Sequence, residues 1–214
     1  GYSGSDQYSR ENRYITTPAV SGAWALSQES FMDNVDWISN LKLRASYGLT
    51  ANDPSNLTRY PYLDDLSYSP GGPIADLQYI IQEHYFGNPN IEPEISKKQN
   101  FGIDLGLFNT LSVSVDVFKE RMENMAVGGT GSVPQYQGIP LGNYPYVNEG
   151  IFENKGYDIS VNYTKSLSKD LTISANGFVS YAKNTVIESN ETLKSEEYAY
   201  RKWEEGYPSG QQFG

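Results

Sequence analysis

The chain has 214 residues, a formal net charge of −10 and no cysteine. The negative charge argues against nucleic acid as a partner, and the absence of thiols excludes disulfides and zinc–thiolate sites. The longest unbroken apolar run, residues 23–26, is far shorter than the roughly 20 residues of a membrane-spanning helix.

Six stretches in which apolar and polar residues alternate predict long β-strands, because strand side chains point to opposite faces with a period of two. Residues 1–13 are predicted to form a loop, Pro18 indicates a bulge or a strand start, and residues 27–32 favour a short helical turn. The predicted strands span about residues 14–26, 39–51, 96–108, 111–124, 151–165 and 170–187. The fold class is therefore all-β, an antiparallel meander of about six long strands.

The alternation gives each predicted strand one apolar and one polar face. The same parity runs through residues 101–107 and resumes after Asn109 and Thr110, which indicates a tight hairpin. The residues assigned to the apolar face are Leu41, Leu43, Phe101, Ile103, Leu105, Val113, Val115, Ile159, Val161, Ile173 and Val179. The charged residues assigned to the polar face are Lys42, Arg44, Asp104, Asp116 and Asp158.

Three stretches without regular alternation predict long loops, at residues 52–94, 125–150 and 188–214. Loops of that length are usually functional. Along the chain they alternate with short connections at residues 27–40, 109–110 and 166–170. All the long loops are therefore expected to leave from one end of the sheet.

The sequence offers little for a catalytic or metal site. His84 is the only histidine and is expected to be a solvated loop residue, and no nucleophile–base pair can be named, so no catalytic residue and no enzyme activity are predicted. No cofactor is predicted. Asp64 and Asp65, with Asp53 nearby, could supply carboxylate oxygens to calcium, but their spacing matches no known calcium-binding loop.

Aromatic residues in the predicted loops are candidates for contact with a substrate or with a covering partner, because aromatic rings stack on sugars and anchor interfaces. The alternative is that these rings pack the loops against one another. The residues concerned are Tyr60, Tyr62, Tyr68, Tyr136, Tyr144, Tyr146 and Trp203.

Two architectures would cover the apolar face. One is a secreted or surface β-sandwich, which would recognise glycans through its aromatic loops. The other is a transmembrane β-barrel, whose strands alternate over about ten residues between short turns and long outer loops. The difference in loop length favours the barrel, and so do the aromatic residues near the strand ends. These residues are Tyr47, Phe101, Tyr157, Tyr163 and Tyr181.

Several motifs resemble one family of barrels. Residues 17–32, TPAVSGAWALSQESFM, look like a segment of the SusC/RagA-type TonB-dependent outer-membrane transporters. Residues 38–48, ISNLKLRASYG, are similar to a strand of that family. Further resemblances lie in NPNIEPE at residues 88–94 with QNFGIDLG at 99–106, in NEG at 148–150 with NKGYD at 154–158, and in residues 201–214.

The resemblance implies a 22-stranded barrel in the outer membrane of a Gram-negative bacterium. It also implies a plug, a SusD-like surface lipoprotein that covers the outside, and TonB, which drives import of large nutrients such as glycans or peptides. This chain would supply barrel wall and extracellular loops, without the plug or the TonB box, as a segment of a larger protein. Apolar-face residues would then face lipid, and the five charged residues would face the lumen.

Under that interpretation an arginine on the apolar face would be costly. Leu105→Arg is expected to destabilise the protein by roughly 2–4 kcal/mol near the bilayer midplane. Gly106→Ser, on the polar face, is expected to be mild.

Overall fold

A computed structural model of the chain describes residues 1–54, 57–70, 79–129, 140–191 and 205–212. Within them the chain forms β-strands joined by turns and short 3₁₀ segments, and no α-helix. The strands are β1 (Tyr2–Gly4), β2 (Tyr14–Thr16), β3 (Ala19–Ala25), β4 (Ile38–Asn52), β5 (Asp65–Pro70), β6 (Tyr79–Tyr85), β7 (Glu94–Leu107), β8 (Leu111–Gly128), β9 (Tyr146–Ser166) and β10 (Thr172–Glu188).

Six of these strands form one continuous antiparallel sheet in the order β10-β9-β8-β7-β4-β3. This confirms the predicted all-β meander of six long strands. The β7–β8 pair is the hairpin expected from the alternation, with Leu107 opposite Leu111 across the turn. Phe108 and Asn109 in this turn have positive φ angles.

The first predicted strand, residues 14–26, is wrong as a single element. The chain leaves one sheet at Thr16 and enters another at Ala19, on either side of Pro18, because proline has no N–H for a ladder hydrogen bond. β2 pairs with β1, which lies within the stretch expected to be a loop. The expected helical turn is present as two 3₁₀ segments, Leu26–Gln28 and Ser30–Met32.

Two predicted loops contain strand structure. Residues 52–94 hold a separate two-stranded sheet, β5–β6, in which His84 is an exposed strand residue rather than a loop residue. Residues 125–150 are shortened from both sides, since β8 continues to Gly128 and β9 begins at Tyr146. Register shifts on either side of Met125 interrupt the β8–β9 pairing, so the period-two pattern ends before the strand does.

The connections between neighbouring strands of the large sheet differ in length at its two ends. Short connections, residues 26–37, 108–110 and 167–171, lie at one end. The connections at the other end are residues 53–93 and 129–145, and the chain also leaves β10 there. A small buried core sits at this long-connection end, where Tyr8, Ile91 and Ala126 pack with Leu57, Tyr62 and Tyr146.

No helix in the described part of the chain combines the length and the apolar character needed to cross a membrane.

Two glycines on the polar face are enclosed by their neighbours. A Cβ added to Gly106 would lie 2.8 Å from Ser39 Oγ and 3.0 Å from Asn40 Cβ, so Gly106→Ser would require these neighbours to shift, which its position on the polar face does not indicate. At Gly156 an added Cβ would overlap the carbonyl oxygen of Tyr181 and lie 2.7 Å from the Phe118 ring. The Phe118 ring therefore covers a strand position that only glycine can occupy.

We predict that Gly156→Ala destabilises the fold, at the upper end of the ~1–3 kcal/mol typical of overpacking. The new methyl group would meet backbone on β10, which cannot move without disturbing the ladder. Gly177→Ala is the matched control on the neighbouring strand, because an added Cβ meets nothing within 4 Å there. Denaturant unfolding of both variants measures the difference, and equal midpoints would contradict the close approach at Gly156.

Candidate functional site

The polar face of the large sheet carries a cluster of ion pairs centred on Arg44. Arg44 Nε donates to Asp104 Oδ2 at 2.8 Å, and its Nη2 donates to Asp116 Oδ2 at 2.9 Å. Further hydrogen bonds join the guanidinium to both carboxylates and to Ser114. One arginine on β4 thus holds two aspartates, one on β7 and one on β8, by the forked pairing that guanidinium and carboxylate groups favour.

This arrangement depends on a glycine. Gly102 stands opposite Arg44 on one side and opposite Asp116 on the other. A Cβ there would lie 2.6 Å from Asp116 Oδ1 and 2.7 Å from Arg44 Cζ. Gly102 therefore leaves the space through which the Arg44 side chain crosses β7 to reach β8.

The five charged residues expected on the polar face do not form one cluster. Arg44, Asp104 and Asp116 are joined, and Lys42 lies directly opposite Asp104 in the ladder. Asp158 lies opposite Asp116 on the next strand but accepts a hydrogen bond from Ser180 on β10. The cluster therefore ties together β4, β7 and β8, and β9 connects to β10 separately.

The apolar face is largely uncovered by the described residues. Exposed fractions are 48% for Phe101 and 57% for Val179, and Ile103 and Ile173 are also exposed. The described residues include no second sheet against this face, which the sandwich alternative requires. The remaining residues assigned to this face occupy two adjacent rows of the ladder. Leu43, Val115 and Ile159 share the row of Ile103 and Val179, and the next row holds Leu41, Leu105, Val113 and Val161.

Aromatic residues border the apolar rows at both ends. Tyr157 and Tyr181 stack with ring centroids 5.5 Å apart and lie on the same row as Phe101, toward the long connections. At the other end, Trp37 and Phe108 are in contact with centroids 6.5 Å apart. Two aromatic borders around an apolar band are typical of membrane barrels.

A second polar cluster ties the long connections to the sheet. Asn148 on β9 accepts from the backbone N–H of Glu92 at 2.8 Å, and its amide donates to the carbonyls of Glu92 and Asn124 at 2.9 and 2.7 Å. Asn88 donates to the Tyr146 carbonyl at 2.8 Å. These two asparagines hold the chain segment before β7 against β8 and β9.

The buried Glu94 completes this second cluster, which comprises Asn88, Glu94, Asn148 and the core around Ile91. Its two carboxylate oxygens accept from the Ala126 backbone N–H at 3.2 Å and from Asn52 Nδ2 at 3.1 Å. Burial raises the pKa of Tyr8 well above its usual range, and the nearby carboxylates of Asp53 and Glu94 raise it further. Tyr8 therefore remains a neutral phenol beside these carboxylates.

The loop aromatics divide between packing and exposed positions. Tyr62 and Tyr146 pack against the buried core, and Tyr144 is buried. Tyr60 contacts Tyr62 edge-on and remains 39% exposed, and Tyr68 on β5 is 66% exposed. Tyr136 and Trp203 lie outside the described residues. Contact of these seven residues with substrate or with a partner stays a prediction.

Among the described residues, no group of three or more acidic or histidine side chains could hold a metal ion. Of the aspartates considered for calcium, Asp64 instead accepts from the backbone N–H of Gly87 at 2.8 Å.

The alternation of apolar and polar residues gives no sign of Asn88, Glu94 and Asn148. Asparagine and glutamate side chains that bind backbone groups leave no periodic signal, because their partners are distant in sequence. Their only signal was membership of the motifs NPNIEPE and NEG, which resemble family segments.

Residues 1–209 match the family described as TonB dependent receptor-like, beta-barrel. TonB-dependent receptor P3 of Formosa agariphila is 32% identical over 188 residues, which are 86% of this chain and 18% of that protein. TonB-dependent receptor SusC of Bacteroides thetaiotaomicron is 26% identical over 181 residues, 80% of this chain and 17% of SusC. The chain thus spans less than a fifth of the length of these relatives.

A solved structure of the RagAB peptide importer, in its "open-open" state, contains a similar fold. It superposes with a TM-score of 0.75 at 25% sequence identity and covers 94% of this chain and 21% of the importer chain.

We predict that Arg44→Gln destabilises the folded protein by about 2 kcal/mol, because it leaves two partly buried carboxylates on adjacent strands without their cation. Lys42→Gln is the matched control, since Lys42 lies on the same strand and face but outside the Arg44 hydrogen bonds. Denaturant unfolding gives both values. Combining Arg44→Gln with Asp104→Asn and Asp116→Asn should recover part of the loss, and strict additivity would contradict the cluster.

We predict that Asn148→Ala loosens the segment before β7, since three hydrogen bonds to backbone groups are lost, at a local cost of about 2 kcal/mol. Amide hydrogen exchange should accelerate at Glu92 and its neighbours. Asn90→Ala is the control, because the Asn90 side chain is exposed and its backbone N–H, which donates to Asn88 Oδ1, is kept in the variant. Unchanged exchange in Asn148→Ala would show that the second cluster does not hold this segment.

Proposed function

This chain belongs to the TonB-dependent receptor β-barrel family, and we propose that it forms part of the barrel wall and the extracellular loops of a SusC/RagA-like importer. The importer would carry large nutrients, glycans or peptides, across the outer membrane of a Gram-negative bacterium. The chain would supply no catalysis. The observation that carries the proposal is the single six-stranded sheet with an uncovered apolar face between two aromatic borders.

In this proposal the apolar face contacts lipid. Its side chains are exposed in the described structure although they are apolar, and a bilayer would remove them from water. The polar face, with the Arg44 cluster, faces the barrel lumen. An ion cluster on the lipid side would be costly, whereas a lumen or a plug can solvate or pair it.

The sheet also requires further strands. Its outer strands, β3 and β10, each have one edge without a partner strand in the described residues. Open edges are not tolerated within lipid, since their N–H and C=O groups would lack partners. Both edges would be paired within a closed barrel, for which the resemblance implies 22 strands.

The long connections would form the outer surface. They all leave the sheet at one end, and the second cluster holds the connection before β7 there. A SusD-like surface lipoprotein is the proposed covering partner on that side, and TonB is the proposed source of energy from the periplasm. The names of the similar proteins, SusC and the RagAB peptide importer, support this assignment. Exposed Tyr60 and Tyr68 are the described candidates for contact with substrate or lipoprotein.

We predict that Leu105→Arg destabilises the membrane-embedded protein by roughly 2–4 kcal/mol. Ser112→Arg is the matched control, because Ser112 is exposed on the polar face of the adjacent strand. Ser112 replaces Gly106 for this purpose, since Gly106 has no room for a side chain. Unfolding from lipid vesicles measures both variants, and an equal or larger loss for Ser112→Arg would reverse the assignment of the faces.

The import function is tested with a strain that lacks the gene for the full-length protein. Uptake of fluorescent oligosaccharides and oligopeptides should fall for one of the two classes, and loss of TonB should abolish the same uptake. The protein should fractionate with the outer membrane. A protein that is soluble and stable without detergent would contradict the proposal and support the glycan-binding sandwich.

A further inference from the structure

Three lysines lie side by side on the apolar face of the sheet, just beyond the aromatic border at the long-connection end. Lys119 on β8 is directly opposite Lys155 on β9, and Lys155 is directly opposite Lys183 on β10. Neighbouring strands are about 4.8 Å apart, so three cationic side chains share a row only about 10 Å wide.

The next row toward the long connections adds two more cations, Lys97 and Arg121. Two carboxylates, Glu123 and Glu153, neutralise the five cations in part. Glu123 pairs with Lys97 and Arg121. Glu153 pairs with Lys119 at 2.9 Å and lies 3.7 Å from Lys155 and Arg121.

The row remains short of negative charge. Like charges directly opposite each other in a sheet are destabilising, yet this row repeats the same charge on three strands. Within the described residues Lys183 forms no ion pair, and the Lys155 side chain is 61% exposed. The chain as a whole has a net charge of −10, yet the five cations of these two rows are matched by only two carboxylates. This local excess of positive charge points to an anion outside the protein.

The position of the row identifies the kind of anion. The lysines stand two residues beyond Tyr157 and Tyr181, about 7 Å farther along the strands. Aromatic side chains of membrane proteins lie at the headgroup level. The row therefore lies on the lipid side of the wall at the depth of the headgroups, and the long connections place it in the outer leaflet.

We propose that Lys119, Lys155 and Lys183, with Arg121 and Lys97 behind them, bind the phosphate groups of an anionic outer-leaflet lipid whose acyl chains lie along the apolar band. This inference rests on the proposed function, since it requires the apolar face to contact lipid. Lysine ammonium groups bind phosphate as point charges, and basic residues near an anionic membrane surface strengthen lipid contact. The apolar rows below the lysines, through Ile159 and Val179, would receive the chains.

The test uses the full-length protein, purified in non-ionic detergent and titrated with diphosphoryl lipid A, with phosphatidylcholine and with inorganic phosphate. The variant is Lys155→Gln combined with Lys183→Gln, which leaves Glu153 paired with Lys119. The matched control is Lys42→Gln combined with Lys98→Gln, which removes the same charge from the polar face. Native mass spectrometry measures bound lipid, and fractionation with the outer membrane is recorded for each protein.

Diphosphoryl lipid A should bind the unaltered protein and the control equally, and the lysine variant roughly thirtyfold more weakly. Phosphatidylcholine should show no such difference, and inorganic phosphate should not compete at matched concentration. Equal lipid A affinity in all three proteins would overturn the inference. Competition by inorganic phosphate alone would also overturn it, in favour of a soluble anion. A variant that dissociates an oligomer without losing lipid would overturn it in favour of a protein contact.

The outer-membrane fractionation separates the two proposals. If the protein fractionates with the outer membrane but the lysine variant binds lipid A normally, only the lipid inference fails. If the unaltered protein is soluble without detergent, the proposed function fails, and the lipid inference fails with it.

Discussion

The register of the large antiparallel sheet determines the chemistry of both its faces, and the Arg44 cluster is the side-chain interaction that specifies it most directly. A slip of one residue would move every side chain to the opposite face. Arg44 reaches Asp116 only because Gly102 lies between them in the ladder. The cluster therefore joins three strands in one register. Ion pairs of this kind are better known for specifying a register than for adding stability.

In that register, the apolar face of the sheet carries a series of side-chain rows, each running across the strands. Apolar rows come first, then the aromatic row of Phe101, Tyr157 and Tyr181, then the lysine row. This order matches the change from hydrocarbon to headgroup across half a bilayer. At the same end, Asn148 and Asn88 fasten the connection before β7 to the strands. In the proposed importer, the surface that faces the outer leaflet thus continues through the aromatic and lysine rows into the long connections.

The alternation of apolar and polar residues predicts the parts of the fold in which the period-two pattern of a β-strand is undisturbed. The β7–β8 hairpin, five of the six strands of the meander and the two faces follow from a period of two. The alternation failed where another constraint prevailed. Pro18 divides the first strand between two sheets, the bulges around Met125 hide the end of β8, and β1, with three residues, is too short to show a period.

The candidate sites were less accessible to sequence reasoning, because a site depends on which strands are neighbours and in which register. Arg44, Asp104 and Asp116 could be assigned to one face, but their contact required the position of Gly102 in the ladder. The lysine row required the β8–β9 and β9–β10 registers together. Asn148 binds backbone groups of segments that are 24 and 56 residues away, and no local pattern indicates such partners.

The most direct test of the account is to determine which face of a single strand contacts lipid. These 214 residues contain no cysteine. Single cysteines can be placed at each position from Leu111 to Val117 of β8 in the full-length protein in vesicles, with any cysteine elsewhere in that protein replaced by serine. Spin labels at 111, 113, 115 and 117 should be accessible to oxygen in the bilayer, and those at 112, 114 and 116 to a water-soluble relaxation agent or shielded from both. Water accessibility at the odd positions equal to that at the even ones would contradict the lipid-facing assignment and the barrel with it.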